Sequence, residues 1–165
     1  MKIAIGFDHG GVALRDVVIQ LLQQFGHEIV DFGTDSEAAV DYPVYAGKVA
    51  HAVASGQCDR GVLACGTGIG VSIAANKVVG CYAALANDCF SARMASEHNG
   101  ANVLCLGARV IGPALARAIL TEYLRAEPDM SARHQQRRDL LRGMEAGCTA
   151  GCQPDRATTD GVRGH

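Results

Sequence analysis

No stretch of this chain approaches the roughly 20 apolar residues that a membrane-spanning helix needs. The N-terminal run Met1-Lys2-Ile3-Ala4-Ile5-Gly6-Phe7-Asp8 lacks the long apolar core of a secretory signal. A cytoplasmic protein with no membrane partner is expected. Neither sign of charge is in excess: 15 Lys and Arg stand against 17 Asp and Glu, a formal net charge of −2 with a pI near 6.3. That balance argues against a surface whose main task is to grip nucleic acid, so any basic site must be local. Proline is scarce, with four residues, and at 48% hydrophobic residues the composition is that of one soluble globular core. The seven cysteines are an odd number. Cys58, Cys65, Cys81, Cys89 and Cys105 fall mostly on apolar stretches without the paired spacing of a zinc site. Reduced thiols and no metal are expected, and Cys148, Cys152 and His165 are also wrongly spaced for a closed zinc site. No repeat of solenoid period is present.

What is there is an alternation. Short strand-like apolar runs at Ile3–Phe7, Glu28–Phe32, Gly61–Cys65, Tyr82–Ala86 and Val103–Leu106 are each followed by a longer helix-like segment. Helices are predicted over about 11–25, 43–55, 70–78, 88–97 and 113–126, with a sixth starting near Ser131. Gly112-Pro113 opens the fifth, where the missing proline N–H is no loss. The pattern predicts an α/β fold: a five-stranded parallel sheet flanked by helices, with its ligand site outside the carboxyl ends of the strands. One domain is expected over residues 1–146. Residues 147–165, small and polar without apolar period, are expected to form a flexible C-terminal tail.

Three constellations can carry chemistry. At the end of the first strand stands Asp8-His9-Gly10-Gly11, either a turn with a helix cap or a pair of polar site residues. At the end of the third, Cys65-Gly66-Thr67-Gly68-Ile69-Gly70 puts a thiol at the mouth of a glycine-rich turn. Its backbone N–H groups can converge on an anionic oxygen at a helix start. Cys65 beside that oxygen is a candidate base or nucleophile, or else a buried structural cysteine. The rival reading of this loop is dinucleotide binding, with Asp88 at about the interval of a ribose-binding acid. Its spacing is GxGxG where the fingerprint wants GxGxxG, and it follows the third strand rather than the first. The third constellation is Arg133-His134-Gln135-Gln136-Arg137-Arg138, where Arg133 and Arg137 share a helical face suited to a phosphate or simply to solvent. Arg109, just after the fifth strand, is a candidate third cation.

His98-Asn99 precedes the fifth strand and so belongs to the sheet edge opposite Asp8 and Cys65. A five-residue strand spans roughly 17 Å. If His98 works with Cys65, the simplest arrangement is a two-fold dimer with two composite sites; otherwise it is a helix-terminal histidine before an Asn-Gly turn.

Over roughly residues 1–145 the chain resembles the ribose-5-phosphate isomerase B family, whose relatives include allose-6-phosphate and galactose-6-phosphate isomerases. The resemblance rests on Asp8-His9, Asp41-Tyr42-Pro43, Cys65 to Gly70 followed by Ile73-Ala74-Ala75-Asn76-Lys77, His98-Asn99, Gly107-Ala108-Arg109 and Arg133-His134-Gln135-Gln136-Arg137. It implies a Rossmann-like three-layer sandwich, a homodimer or a further-paired tetramer, and interconversion of an aldose phosphate and a ketose phosphate without metal or coenzyme. By this resemblance Cys65 moves the proton between C1 and C2 and His98 opens the sugar ring. Asp8, His9, Tyr42 and Asn99 would contact the substrate; the backbone of Gly66, Gly68, Ile69 and Gly70, with the Thr67 hydroxyl, would hold the enediolate; Arg109, Arg133 and Arg137 would bind phosphate. Some relatives use a carboxylate a few residues later in the loop. Val71 stands there in this chain and cannot take a proton.

Overall fold

The computed structural model describes residues 1–145, and the expected tail, with Cys148, Cys152 and His165, lies outside the described residues. Strands β1 (Lys2–Phe7), β2 (Glu28–Asp31), β3 (Arg60–Cys65), β4 (Ala83–Leu85) and β5 (Val103–Gly107) form one sheet in the order β2-β1-β3-β5-β4. Every pairing is parallel. The helices are α1 (Arg15–Gln24), α2 (Tyr42–Ala54), α3 (Ile69–Ala75), α4 (Cys89–Glu97), α5 (Pro113–Arg125) and α6 (Ala132–Glu145). All five predicted strands and six predicted helices are present, displaced at their ends by up to a few residues. The largest local difference precedes α1, where Val12–Leu14 forms a 3-10 turn.

The apolar runs of β1, β3 and β5 are continuous because both faces of these inner strands are covered. Ile3, Ile5 and Phe7 of β1, Val62 and Ala64 of β3, and Leu104 and Leu106 of β5 turn to one side. There they meet Val18, Leu21 and Leu22 of α1, Ala92 of α4, and Ile119, Leu120 and Tyr123 of α5. Ala4, Leu63, Cys65, Val103 and Cys105 turn to the other side, against Ala46, Val49, Ala50 and Val53 of α2 and Val71 and Ala75 of α3. The period-two alternation thus builds two cores on one sheet, the middle layer of a Rossmann-like three-layer sandwich. Helix α6 joins neither core; its buried residues are His134 and Arg138.

Candidate functional site at the carboxyl edge of the sheet

Strands β1, β3 and β5 are neighbours, so the loops leaving their carboxyl ends share one edge. Phe7 pairs with Ala64, and Cys65 with Gly107. Cys65 is the last residue of β3 and only 5% exposed. Three residues on, Gly68 takes φ +77°, and its N–H turns back to donate to Cys65 Sγ at 3.1 Å. A side chain at that φ is disfavoured. The donor acts most strongly on a sulfur that carries negative charge.

The exit of β5 fixes this loop from one side. Ala108 N–H donates to the Cys65 carbonyl and Arg109 N–H to the Gly66 carbonyl, both at 2.9 Å. From the other side the β1 exit closes in so tightly that a Cβ on Gly11 would overlap the Ala64 carbonyl. Asp8 is buried, and its Oδ1 accepts from Gly11 N–H at 2.9 Å. The turn reading and the site reading of Asp8 are therefore compatible: one carboxylate oxygen shapes the turn beside Cys65. His9 Nδ1 accepts from Val40 N–H at 3.2 Å, which leaves Nε2 as the protonated nitrogen of the neutral ring. The Tyr42 ring, at the start of α2, lies on Gly70, 2.8 Å from where a Cβ would stand. The Arg109 side chain runs along Gly66 at 3.4 Å from its Cβ position. The Thr67 hydroxyl accepts from Ile69 N–H at 3.3 Å. Gly70 and Val71 occupy the first turn of α3, where N–H groups have no acceptor within the helix.

The fold therefore gathers Asp8, His9, Tyr42, Cys65, Gly66 to Gly70 and Arg109 at one edge. His98, Asn99, Arg133 and Arg137 are not among them. Val103 opens β5 opposite Gly61, so the His98 segment lies at the amino edge, about one strand length of roughly 17 Å away. Helix α6 is fastened at that same edge. Arg138 donates to the His98 carbonyl at 3.3 Å and to the Asp129 carbonyl at 2.8 Å. Glu145 accepts from Gly80 N–H at 3.2 Å and from the Tyr82 hydroxyl at 3.0 Å. Arg133 and Arg137 are exposed on α6, with Arg133 Nη2 3.5 Å from His134 Nε2. A cleft of about 280 Å³ opens here, with Asn99, Tyr82, Met130 and Arg138 in its walls and no residue of the Cys65 loop.

Two other buried thiols, Cys81 and Cys105, are held protonated by their surroundings. Burial, and to a lesser degree the Glu145 carboxylate, pushes the Cys81 thiol up to about 12. Burial raises Cys105, in the middle of the sheet, well above the ordinary range. Asp129, at the second edge, is held down to about 2, first by the Ser131 N–H and then by the His134 imidazole.

Sequence reasoning placed Arg133 and Arg137 on a common face but missed the work of the adjacent one. His134 and Arg138 are also four apart, and they turn inward to Asp129 and the His98 backbone. The available signal was that same i,i+4 spacing of an aromatic base and a cation on an otherwise polar helix.

The sequence profile of the Ribose/Galactose Isomerase family matches residues 3–141. Ribose-5-phosphate isomerase B of Escherichia coli (strain K12) is 44% identical, covering 87% of this chain and 96% of its own. D-erythrulose-4-phosphate isomerase of Pectobacterium atrosepticum is also 44% identical, covering 77% and 84%. The solved structure of Clostridium thermocellum ribose-5-phosphate isomerase B superposes with a TM-score of 0.86 at 48% identity, over 89% of this chain and 99% of that one. With the profile spanning most of the chain and both sequence and fold matched nearly end to end, the chain belongs to the Ribose/Galactose Isomerase family of sugar-phosphate isomerases.

Proposed function

We propose that this protein interconverts ribose 5-phosphate and ribulose 5-phosphate. The observation that carries the reading is the Cys65 sulfur, held at the carboxyl edge beneath a backbone N–H at 3.1 Å, with the Arg109 side chain along the adjoining Gly66. Cys65 as thiolate removes the C2 hydrogen of the open-chain aldose, and the electron pair moves into a C1–C2 double bond as negative charge collects on the former aldehyde oxygen. The thiol then returns a proton to C1, the proton of the C2 hydroxyl passes to the C1 oxygen, and the ketose results with Cys65 again a thiolate. The enediolate between the two is planar and carries one negative charge on its oxygens, which needs fixed donors. The backbone N–H groups of Gly66 to Gly70 and the Thr67 hydroxyl are suited to supply them. Asp8, His9 and Tyr42 orient the sugar hydroxyls, and no metal or coenzyme enters the reaction.

His98 opens the sugar ring, and Asn99, Arg133 and Arg137 join Arg109 on the substrate; all four come from a second subunit. Two features support a homodimer with composite sites. Cys65 and His98 of one chain stand at opposite sheet edges, and the surface beside the Cys65 loop is apolar: Val44, Ile69 and Ile73 are each more than half exposed. A second copy laid on that face buries these side chains and brings its own amino edge to Cys65. Phosphate held by arginines contributes binding energy remote from the reacting carbons, which orients C1 and C2 against the sulfur.

The second reading is a longer or shorter sugar phosphate. Galactose stands in the family's own description, and a relative is named for a four-carbon ketose phosphate. The test is isomerisation of ribose 5-phosphate, allose 6-phosphate, galactose 6-phosphate and erythrulose 4-phosphate in chelator-treated buffer, by wild type and by Cys65→Ala. Ribose 5-phosphate turned over fastest, with turnover abolished in Cys65→Ala and phosphate binding retained, is the expected result. A different best sugar overturns the substrate, and solvent-hydrogen exchange at the wild-type rate in Cys65→Ala overturns the base.

A further inference from the structure

His134 is 3% exposed, although it lies on a helix whose other residues mostly face solvent. Burying an imidazole costs free energy unless its nitrogens are satisfied. Here Nδ1 stands 2.6 Å from Asp129 Oδ2. Asp129 is itself fixed: its carboxylate accepts from Ser131 N–H at 2.8 Å and from the Ser131 hydroxyl at 3.1 Å. Its own N–H donates to the Glu97 carbonyl at 2.7 Å. An ionised carboxylate only accepts, so Nδ1 of His134 carries the proton and the ring is held in one orientation.

That ring is a shelf for another. The His98 and His134 imidazoles stack with centroids 4.3 Å apart and planes 21° from parallel. His98 is exposed and closes α4, a place where a side chain would otherwise sample several rotamers. Its main chain is fixed by Arg138 at the carbonyl and by Met94, whose carbonyl accepts the His98 N–H at 2.8 Å. Backbone and ring are thus restrained from the same short stretch, Asp129 to Arg138. A shared metal ion does not explain the pair, because stacked rings send their nitrogens out in parallel planes rather than toward one point.

We propose that His134, oriented by Asp129, is a positioning residue for His98, holding its imidazole at the angle from which it exchanges a proton with the ring oxygen of the cyclic sugar phosphate. This rests on the reading of His98 as the ring-opening group. Asp129 and His134 do not touch substrate. They act through His98, as a carboxylate and its histidine do when they set the geometry of a reacting group.

The test compares a sugar that cyclises with one that does not. Ribose 5-phosphate forms a furanose, whereas erythrose 4-phosphate carries its phosphate on the oxygen that would close the ring and stays open. For His134→Ala we expect kcat on ribose 5-phosphate to fall about tenfold with KM within about twofold, since small misplacements of a reacting group cost that much or more. Turnover of erythrose 4-phosphate should stay within about twofold of wild type. His134→Phe keeps a ring to stack on and should restore ribose 5-phosphate turnover to within about threefold of wild type. The 15N and 1H resonances of the His98 imidazole, read by NMR, should move in His134→Ala and return toward wild-type positions in His134→Phe. Equal losses on both sugars, no loss on either, or unmoved His98 resonances in His134→Ala would overturn the proposal. If wild type turns over neither sugar, the ribose 5-phosphate reading fails, and the His98 resonances alone decide whether His134 positions that ring.

Discussion

Gly68→Ala tests whether the Cys65 loop is held by backbone geometry. Gly68 sits at φ +77°, where a Cβ costs about 1–2 kcal/mol. The added methyl also meets the Leu106 carbonyl carbon at 2.9 Å and overlaps the end of the Leu85 side chain. Leu85 can rotate away, but Leu106 is the backbone of a central strand, and overpacking of that kind adds about 1–3 kcal/mol. The total is about 2–5 kcal/mol, equivalent to a Tm lower by roughly 5–20 °C for a chain of this size. Gly56→Ala is the matched control: φ is +76° and no atom lies within 4 Å of the new Cβ. It should lose only the backbone part, about 1–2 kcal/mol. Urea denaturation of both variants at one fixed protomer concentration gives the two values without confounding by assembly. Gly68→Ala should also lose isomerase turnover at temperatures where it remains folded, because relieving the Cβ contacts moves the turn and carries the backbone N–H at position 68 off the Cys65 sulfur. Equal destabilisation by the two substitutions, or full turnover in folded Gly68→Ala, would refute the reasoning.

The composite site predicts complementation. Cys65→Ala and His98→Asn should each be inactive on ribose 5-phosphate, yet unfolded and refolded together they should recover about a quarter of wild-type activity, since half the dimers are mixed and each mixed dimer has one intact site; no recovery would place both groups in one chain. Cys81 should resist alkylation in the folded protein at pH 8–9 while an unfolded control reacts fully, because burial holds its thiol near 12. The sign for stability follows: a pKa raised on folding leaves the contribution of Cys81 intact below about 9 and removes it as the pH climbs toward 12. Rapid labelling of native Cys81 at pH 8, followed by mass spectrometry of the modified peptide, would contradict its burial.

The sheet and its helices were legible because hydrophobic periodicity is local: Ile3, Ile5 and Phe7 reveal a strand whatever lies beside it. The edges of the sheet were legible for the same reason, since in a parallel β-α repeat every strand end of one kind falls on one side. That logic places Asp8, His9 and Cys65 together and separates His98 from them on the sequence alone. The glycine spacing after Cys65 likewise announced a tight turn, because only backbone without a Cβ reaches φ +77° at low cost.

Tertiary structure alone decided which distant groups meet. The strand order β2-β1-β3-β5-β4 brings the Gly107–Arg109 exit onto the Cys65 loop, more than forty residues earlier in the chain. Nothing in the local pattern of either segment specifies that contact. The inward face of α6 is a sharper case: the i,i+4 spacing pairs His134 with Arg138 as it pairs Arg133 with Arg137, but only the packing of α4 and the Asp129 turn beneath them decides which pair is buried. Periodicity reports which way a residue faces relative to its own element. What it faces depends on long-range closure, whose free energy is spread over the two apolar cores and is written in no single segment.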